Sequence, residues 1–423
     1  MVEERVFDFL FLALMNRQLI RQFFSPRILV AFLMGFACGT PLLLTSTVLQ
    51  AWMTERGVDL ATIGFFSLVG LPYTVKFLWA PVFDRFTLPV LGRRRGWLLV
   101  TQLLLMLALV GLGMTDPVQR PWLVAVAAFF VTLFSASQDI VVDAYRREDL
   151  TDNQLGLGSS FYVNGYRLGM LLAGSGGLIL ADRVSFDRVY LLMAASLLLG
   201  VATTLLCREP LLTRGAPGTF KEAVIEPFAD YFSRDKALLL LLFILLYKIG
   251  DQMASTLTTP FYLSLGFSKT QIGAVAKLAG LWAVLAGGLL GGIILLRIGI
   301  IRSLWLFGVL QAIGILSFTA LALIGNSLPA LVAAIVVEQL TSGMGTSAYV
   351  AYMASLTNKR FTATQYALLS SCMGIPRVIV AAPAGLLAKL TGWPLFFLGC
   401  ALAAIPGLLL LPIIARQYRR DAQ

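Results

Sequence analysis

The stretch Ser135-Ala-Ser-Gln-Asp-Ile-Val-Val-Asp-Ala-Tyr145 closes an apolar run that begins near Trp122 and reads as the last turns of a membrane-spanning helix. Asp139 and Asp143 are four residues apart and Ser135 lies a further four back. These three side chains share one helical face, with Gln138 on its flank. A carboxylate at bilayer depth is costly, so it faces other protein or a water-filled cavity. Two on one face, beside an amide and a hydroxyl, line a path or a pocket.

The composition around that helix fits only a membrane setting. Of 423 residues, 58% are apolar and 13% are charged, against about 25% charged in soluble domains. No polar segment is long enough for a sizeable soluble domain, so the chain reads as an all-α polytopic membrane protein with the lipid bilayer as its partner. The net charge of +11 does not point to nucleic acid, because the basic residues cluster in short loops between apolar runs, which is how membrane proteins are oriented. Cys38, Cys207, Cys372 and Cys400 lie in or at the ends of apolar runs without paired spacing. They read as small core residues, with no disulfide, metal site or cofactor implied. Histidine is absent, which excludes any mechanism with a histidine base, shuttle or ligand.

Residues 1–27 hold an apolar run, Phe7 to Met15, followed by Arg17, Arg21 and Arg27. The run is too short to span a bilayer, and an interfacial amphipathic helix is favoured over a degenerate signal peptide. Twelve spans follow, at 28–53, 60–83, 96–114, 121–145, 158–181, 189–206, 237–264, 270–296, 303–324, 329–356, 363–388 and 394–415. They make an N-terminal six-helix bundle over 28–206 and a C-terminal one over 237–415. The linker between them, 207–236, is the longest polar connection and contains Pro210, Pro217 and Pro227; 416–423 form a tail.

Lys and Arg concentrate in the even-numbered loops and both terminal segments. The odd-numbered loops carry only Arg56, Arg120, Arg183, Arg188, Lys269 and Lys389. The positive-inside rule then places both termini in the cytoplasm. The two sets of six are related. Gly57-Val-Asp-Leu-Ala-Thr-Ile-Gly64 joins the first two spans and Gly266-Phe-Ser-Lys-Thr-Gln-Ile-Gly273 the seventh and eighth. Each has a glycine that can end a helix, then Asp59 or Ser268 placed to cap the next. Arg167 in the fifth span has a counterpart in Arg377 of the eleventh. Parallel six-helix repeats with a substrate cavity between them describe the major facilitator architecture.

Loop 2–3 reads Ala80-Pro-Val-Phe-Asp-Arg-Phe-Thr-Leu-Pro-Val-Leu-Gly-Arg-Arg-Arg-Gly96. It resembles the major facilitator signature of this loop, with Pro81 in place of the leading small residue and a longer gap between Asp84-Arg85 and Gly92-Arg93. That resemblance implies a gate in which Asp84, Arg85, Arg93 and Arg94 latch the cytoplasmic side, with Asp143 near the same end. Loop 8–9 keeps Gly292, Arg297, Gly299 and Arg302 but no aspartate, so any latch is asymmetric.

The spans also contain Lys76, Asp139, Asp143, Arg167, Lys248, Asp251, Lys277, Glu338 and Arg377. Acids and bases are near balance, so most can pair. For proton coupling without histidine, a carboxylate must alternate between protonated and paired states; Asp139 is the first candidate, then Glu338 and Asp251. No sodium site follows from the residues. Lys76, Arg167 and Lys248 suit an anionic substrate. Gln50, Tyr73, Gln138, Asn164, Tyr247 and Tyr349 supply amides and hydroxyls for a sugar, with Trp52, Trp79 and Trp282 as stacking surfaces.

The longer matches are more specific than the loop signature. Leu49-Gln-Ala-Trp-Met53, Thr62-Ile-Gly-Phe-Phe-Ser-Leu-Val-Gly70, Lys76-Phe-Leu-Trp79, Gly92-Arg-Arg-Arg-Gly-Trp-Leu-Leu99, Ser135-Ala-Ser-Gln-Asp-Ile-Val141, Gly165-Tyr-Arg-Leu-Gly-Met170 and Gly343-Met-Gly-Thr346 together resemble the AmpG muropeptide permeases over most of the chain. Some members carry further C-terminal helices; this sequence reads as ending after its twelfth span. The resemblance implies a monomeric importer in the bacterial inner membrane that is not an enzyme. Its substrates would be N-acetylglucosamine–1,6-anhydro-N-acetylmuramic acid with or without stem peptide. The implied driving force is the proton motive force, with H+ as coupling ion, and the implied roles are peptidoglycan recycling and β-lactamase induction. A drug or peptide exporter is the alternative within transporters. A membrane-embedded transferase would need a large active-site loop and an interfacial acidic metal pair, and neither is in the sequence.

Overall fold

The computed structural model describes residues 25–59, 62–63, 66–89, 91–210, 219–275, 279–379 and 381–421. The interfacial helix expected before residue 25, Lys277 and the side chain of Arg377 lie outside the described residues. Among the described residues, nine helices are long and apolar enough to cross a membrane. They are α1 (Pro26–Glu55), α3 (Arg93–Gly113), α4 (Pro121–Asp149), α6 (Phe186–Leu206), α7 (Ala237–Ser264), the main part of α8 (Leu281–Ile298), α9 (Ile300–Ile324), α10 (Leu328–Ser355) and α12 (Trp393–Ala415). The remaining three are interrupted: α2 (66–85), α5 (155–181) and α11 (362–391).

The breaks have local causes. Pro41 removes a backbone donor inside α1, and a π-helical turn follows at Leu44–Val48. In α2 a 3-10 turn at Lys76–Leu78 separates Leu71–Val75 from Ala80–Arg85, with Pro81 at the restart. The first part of α7 ends at Tyr247, and its second starts after Lys248, whose φ is −103°. Both lysines of these two spans thus sit at a helix break.

The internal repeat is visible in the backbone. Gly57 (φ 76°) and Gly266 (φ 84°) end α1 and α7, while Gly92 (φ 86°) and Gly299 (φ 77°) open α3 and α9. All four need the left-handed region that glycine enters without a Cβ penalty. The expected caps form as well. Asp59 Oδ1 accepts from the Thr62 N–H at 2.9 Å, and Ser268 Oγ from the Gln271 N–H at 3.1 Å.

Glycine also sets the closest helix pair. Gly35 and Gly39 of α1 face Tyr162 and Tyr166 of α5, and Gly165 and Gly169 of α5 face Phe32 and Phe36 of α1. A Cβ at any of the four would be driven into a backbone carbonyl oxygen of its neighbour. In a bilayer, where apolar contacts with lipid and protein differ little, such backbone approach is a main source of helix association. The run Gly287-Gly-Leu-Leu-Gly-Gly292 serves two neighbours at once. Gly287 and Gly291 lie against Leu340 and Met344 of α10, whereas Gly288 and Gly292 lie against Asn164 and Ser160 of α5 in the other half.

Buried apolar residues form one cluster that includes both halves, from Ile28, Ile140 and Tyr162 to Phe243, Phe307 and Tyr352. It lies at the end carrying loop 2–3 and the linker. At the opposite end each half has its own cluster, one around Trp52, Leu109 and Tyr190, the other around Phe261, Phe318 and Phe397. The halves therefore share a core at the linker end and keep separate cores at the far end.

The polar connection expected over 207–236 contains a helix, Phe220–Phe232, opened by Thr219 Oγ1 accepting from the Glu222 N–H at 3.1 Å. Its acids recur every four residues and dock on the α10–α11 turn. Arg360 pairs with Glu222 at 3.2 Å and Glu226 at 3.5 Å. Asp230 accepts from Asn358 Nδ2 at 3.0 Å, Gln365 Nε2 at 2.7 Å and Arg234 at 2.7 Å. Burial pushes the Asp230 carboxyl upward, and these donors outweigh it and hold it below the ordinary carboxylate range. The tertiary partners thus stabilise a helix that contains Pro227.

Gly39→Ala forces a methyl against the Tyr166 carbonyl, whereas Gly111 has open space around its Cα. In a thermal-unfolding assay in detergent, Gly39→Ala is expected to lose about 1–3 kcal/mol, the usual range for overpacking. Gly111→Ala should leave the midpoint unchanged.

Candidate functional site

In the N-terminal half, the polar face of α4 meets α1 and α2. Ser135 Oγ accepts from the Tyr73 hydroxyl at 2.8 Å, and Ser137 Oγ from Trp79 Nε1 at 3.0 Å. Gln138 Nε2 donates to Cys38 Sγ at 3.4 Å, while its Oε1 is buried with no partner. Asp139 is 6% exposed, faces the Cys38 thiol, and leaves Oδ1 buried without a hydrogen bond. Lys76 is equally buried and acts electrostatically on both Asp139 and Asp143.

In the C-terminal half, Lys248 Nζ pairs with Asp251 Oδ2 at 3.0 Å. Glu338 of α10 is buried, and its Oε2 accepts from Gln339 Nε2 at 2.8 Å. From across the interface, α5 sends Asn164 and Arg167 into α8. Asn164 Nδ2 donates to the Leu285 carbonyl at 3.1 Å, and Arg167 to the Val284 carbonyl at 3.0 Å. Arg167 also acts on Asp251 and Glu338 through its charge. Asn164 and Arg167 were expected to contact substrate; in this conformation they tie the two halves together.

The linker end is closed by two polar layers. In the outer layer Arg94 is 0% exposed. It donates to Asp84 Oδ1 at 2.8 Å, to Glu148 Oε1 at 2.6 Å and to the Phe83 carbonyl at 2.8 Å. Arg93 adds a second contact to Glu148 at 2.9 Å. Asp84, thus oriented, accepts from the N–H groups of Ala363 at 3.2 Å and Thr364 at 2.8 Å, and from Thr364 Oγ1 at 2.8 Å. These N–H groups open α11, where a helix presents unsatisfied donors and a positive dipole end to an anion. In the inner layer Arg146 donates to Asp143 at 3.1 Å, Ser159 at 2.7 Å and Tyr366 of α11 at 2.9 Å, with its guanidinium 4.5 Å from the Tyr162 ring.

Three basic residues in the first turn of α3 oppose its dipole, and one acid, 115 positions beyond Arg94, relieves this. Glu209 accepts from the Arg94 and Arg95 backbone N–H groups at 2.7 and 2.9 Å. Arg95 in turn donates to the Thr204 and Leu205 carbonyls at the end of α6. Arg85 stacks on Phe86, 5.0 Å from the ring centroid, at the edge of the latch.

The expected residues thus divide. Tyr73, Lys76, Gln138 and Asp139 come together in one half, with Lys248, Asp251 and Glu338 in the other; Asp84, Arg93, Arg94 and Asp143 join the closure. Tyr247 and Tyr349 do not join either group. Their rings stack at 5.4 Å, and their hydroxyls donate to the Leu304 and Ile244 carbonyls, which makes them packing residues within the C-terminal half. Gln50 is exposed, on the stretch of α1 that faces the separated end. Trp52 packs on Phe186, and Trp282 points outward at 68% exposure. Glu148, Glu209, Arg146, Tyr366 and Cys38 were not foreseen. Only Glu148 carried a usable signal: a carboxylate five residues past Asp143, on another face at the end of the same helix.

Removing the Asp84 carboxylate leaves Arg94 buried and α11 without its anion, a loss of about 3–5 kcal/mol for a broken buried pair. Spin labels at the exposed positions Thr87 and Lys359 are therefore expected to move apart in Asp84→Ala. An unchanged distance distribution would show that the latch does not hold the linker end shut.

Comparison with known proteins places this geometry. The sequence profile of the Major Facilitator Superfamily matches residues 27–381 and 252–422. The chain is similar to the anhydromuropeptide permease of Escherichia coli, at 45% identity over 95% of this chain and 82% of the relative. It is 34% identical to the putative transporter AmpG 4 of Rickettsia felis, over 91% of this chain and 95% of the relative. Its fold is similar to the E. coli fucose:proton symporter, at a TM-score of 0.73 and 12% identity over 93% of this chain and 99% of that one. A human organic anion transporter gives 0.68 and 16% over 91% and 98%. The chain belongs to the Major Facilitator Superfamily, as a multi-pass membrane permease and not an enzyme.

Proposed function

We propose that the chain imports anhydro-muropeptides, the N-acetylglucosamine–anhydro-N-acetylmuramic acid disaccharide with or without stem peptide, across the bacterial inner membrane. The observation that carries this reading is the 45% identity, over nearly the whole chain, to a permease of that name. The chemistry agrees with it. Carboxylates of a muramyl group or stem peptide need cations, which Lys76, Lys248 and Arg167 provide, and sugar hydroxyls suit Gln138 and Tyr73.

Uptake is driven by the proton motive force, with H+ as coupling ion and Asp139 as the first carrier, ahead of Glu338 and Asp251. The protein works as a monomer with both termini in the cytoplasm, and serves peptidoglycan recycling and the signal for β-lactamase induction. The bundles 28–206 and 237–415 rock about the site, joined by the linker. With the linker end cytoplasmic, a shared core and latch on that side and separate cores on the other correspond to an outward-facing state.

Counterflow of labelled anhydro-disaccharide in vesicles is expected to depend on this protein, and its absence would refute the substrate assignment. Asp139→Asn should abolish uptake driven by a pH gradient while the protein remains in the membrane at its normal level. Undiminished uptake by that variant would remove Asp139 from the coupling role.

A further inference from the structure

Lys76 differs from the other described cations within the spans. Lys248 is held by Asp251, Arg146 by Asp143, and Arg167 by the Val284 carbonyl. Lys76 is 6% exposed and, among the described residues, makes no hydrogen bond and no ion pair within 4 Å. It stands where α2 breaks into its 3-10 turn, so its backbone is fixed while a four-carbon stem carries the charge. Discontinuous helices at mid-membrane recur as ligand-holding elements in transporters of this architecture.

The groups facing Asp139 are Lys76 and Tyr73 of α2, Cys38 of α1, Tyr162 and Tyr166 of α5, Tyr366 of α11, and Asp143 of its own helix. Asp143 is already answered by Arg146. The tyrosines and the thiol are neutral groups. Lys76 is thus the cation left to answer Asp139, and Asp139 keeps one buried oxygen free of hydrogen bonds. A buried, unpaired ammonium is costly, so an incoming carboxylate and the ionised Asp139 compete for it.

Resting on the muropeptide reading, we infer that Lys76 is shared between Asp139 and a carboxylate of the substrate, so that a proton on Asp139 and the substrate anion bind cooperatively. Protonation of Asp139 releases Lys76 to the anion, and the anion, by withdrawing Lys76, favours the proton. The effect is reciprocal by linkage. It makes the substrate's negative charge, rather than its sugar, the element to which the proton is coupled. A neutral analogue can then occupy the site without recruiting a proton.

The test is equilibrium binding to the full chain in nanodiscs between pH 8 and pH 5. The probes are the anhydro-disaccharide, whose lactyl carboxylate is free, and its neutral methyl amide. Affinity for the acid is expected to rise about 5- to 150-fold as pH falls, the usual span of a coupling between two sites, while affinity for the amide stays level. Lys76→Gln should weaken the acid about tenfold or more at pH 5 and flatten its profile, a loss of about 1.4 kcal/mol per tenfold. Lys76→Arg should restore the slope. Asp139→Asn should hold the acid at its tight value across the range, which keeps the test open if Lys76→Gln fails to fold. A pH slope that survives in Lys76→Gln, or an amide with the same slope as the acid, overturns the proposal. If the wild type binds neither sugar, the muropeptide reading fails, and the same series with D-lactate decides the lysine. PH-dependent lactate binding that vanishes in Lys76→Gln supports the sharing; lactate binding that ignores pH overturns it.

Discussion

An arginine wholly removed from solvent must have its charge and its N–H groups answered, and Arg94 meets that demand by gathering three parts of the chain. Its guanidinium draws in Asp84 from the end of α2 and Glu148 from the end of α4, and it takes the Phe83 carbonyl as well. The Asp84 carboxylate that results is positioned to meet the first N–H groups of α11 in the opposite half. Closure of the linker end therefore depends on a charge whose alternatives are worse, because an uncompensated buried ion costs more than any contact it would relinquish.

The apolar part of the same interface is made by subtraction. Where α8 meets α5 and α10, glycines remove side chains so that backbones and short polar groups approach directly. Because the two glycine rows of 287–292 point different ways, one helix packs closely against α10 of its own half and against α5 of the other. The α1–α5 pair has the same construction but lies within one half, where nothing needs to separate. Small residues here serve approach, and the polar ties from Asn164 and Arg167 to the α8 carbonyls supply direction.

The two halves repeat their backbone joints but not their charges. The turns at Gly57 and Gly266, and at Gly92 and Gly299, match in sign and magnitude of φ. The latch does not repeat, since loop 8–9 has no counterpart of Asp84. The lysines at helix breaks also differ: Lys248 has its acid one turn away, and Lys76 has none so near. The duplicated scaffold thus carries unequal charges in its two halves.

Much of this is legible in the sequence alone. Hydropathy marked the apolar runs, nine of which are, among the described residues, helices long and apolar enough to cross a bilayer, and the glycine-and-cap joints revealed the repeat because backbone chirality restricts who can sit there. The stretch 135–145 announced a polar face, since helical periodicity alone fixes which side chains share a side. What periodicity cannot supply is the partner on another helix. That Glu209 caps α3, that Asp84 reaches α11, that the linker carries a docked helix, and that Tyr247 and Tyr349 satisfy each other's surroundings rather than a ligand all depend on which helices adjoin and at what depth. Those pairings join residues far apart in the sequence, from 57 positions for Tyr247 and Leu304 to 280 for Asp84 and Thr364, where only packed geometry decides which of several chemically adequate partners lies within hydrogen-bond reach.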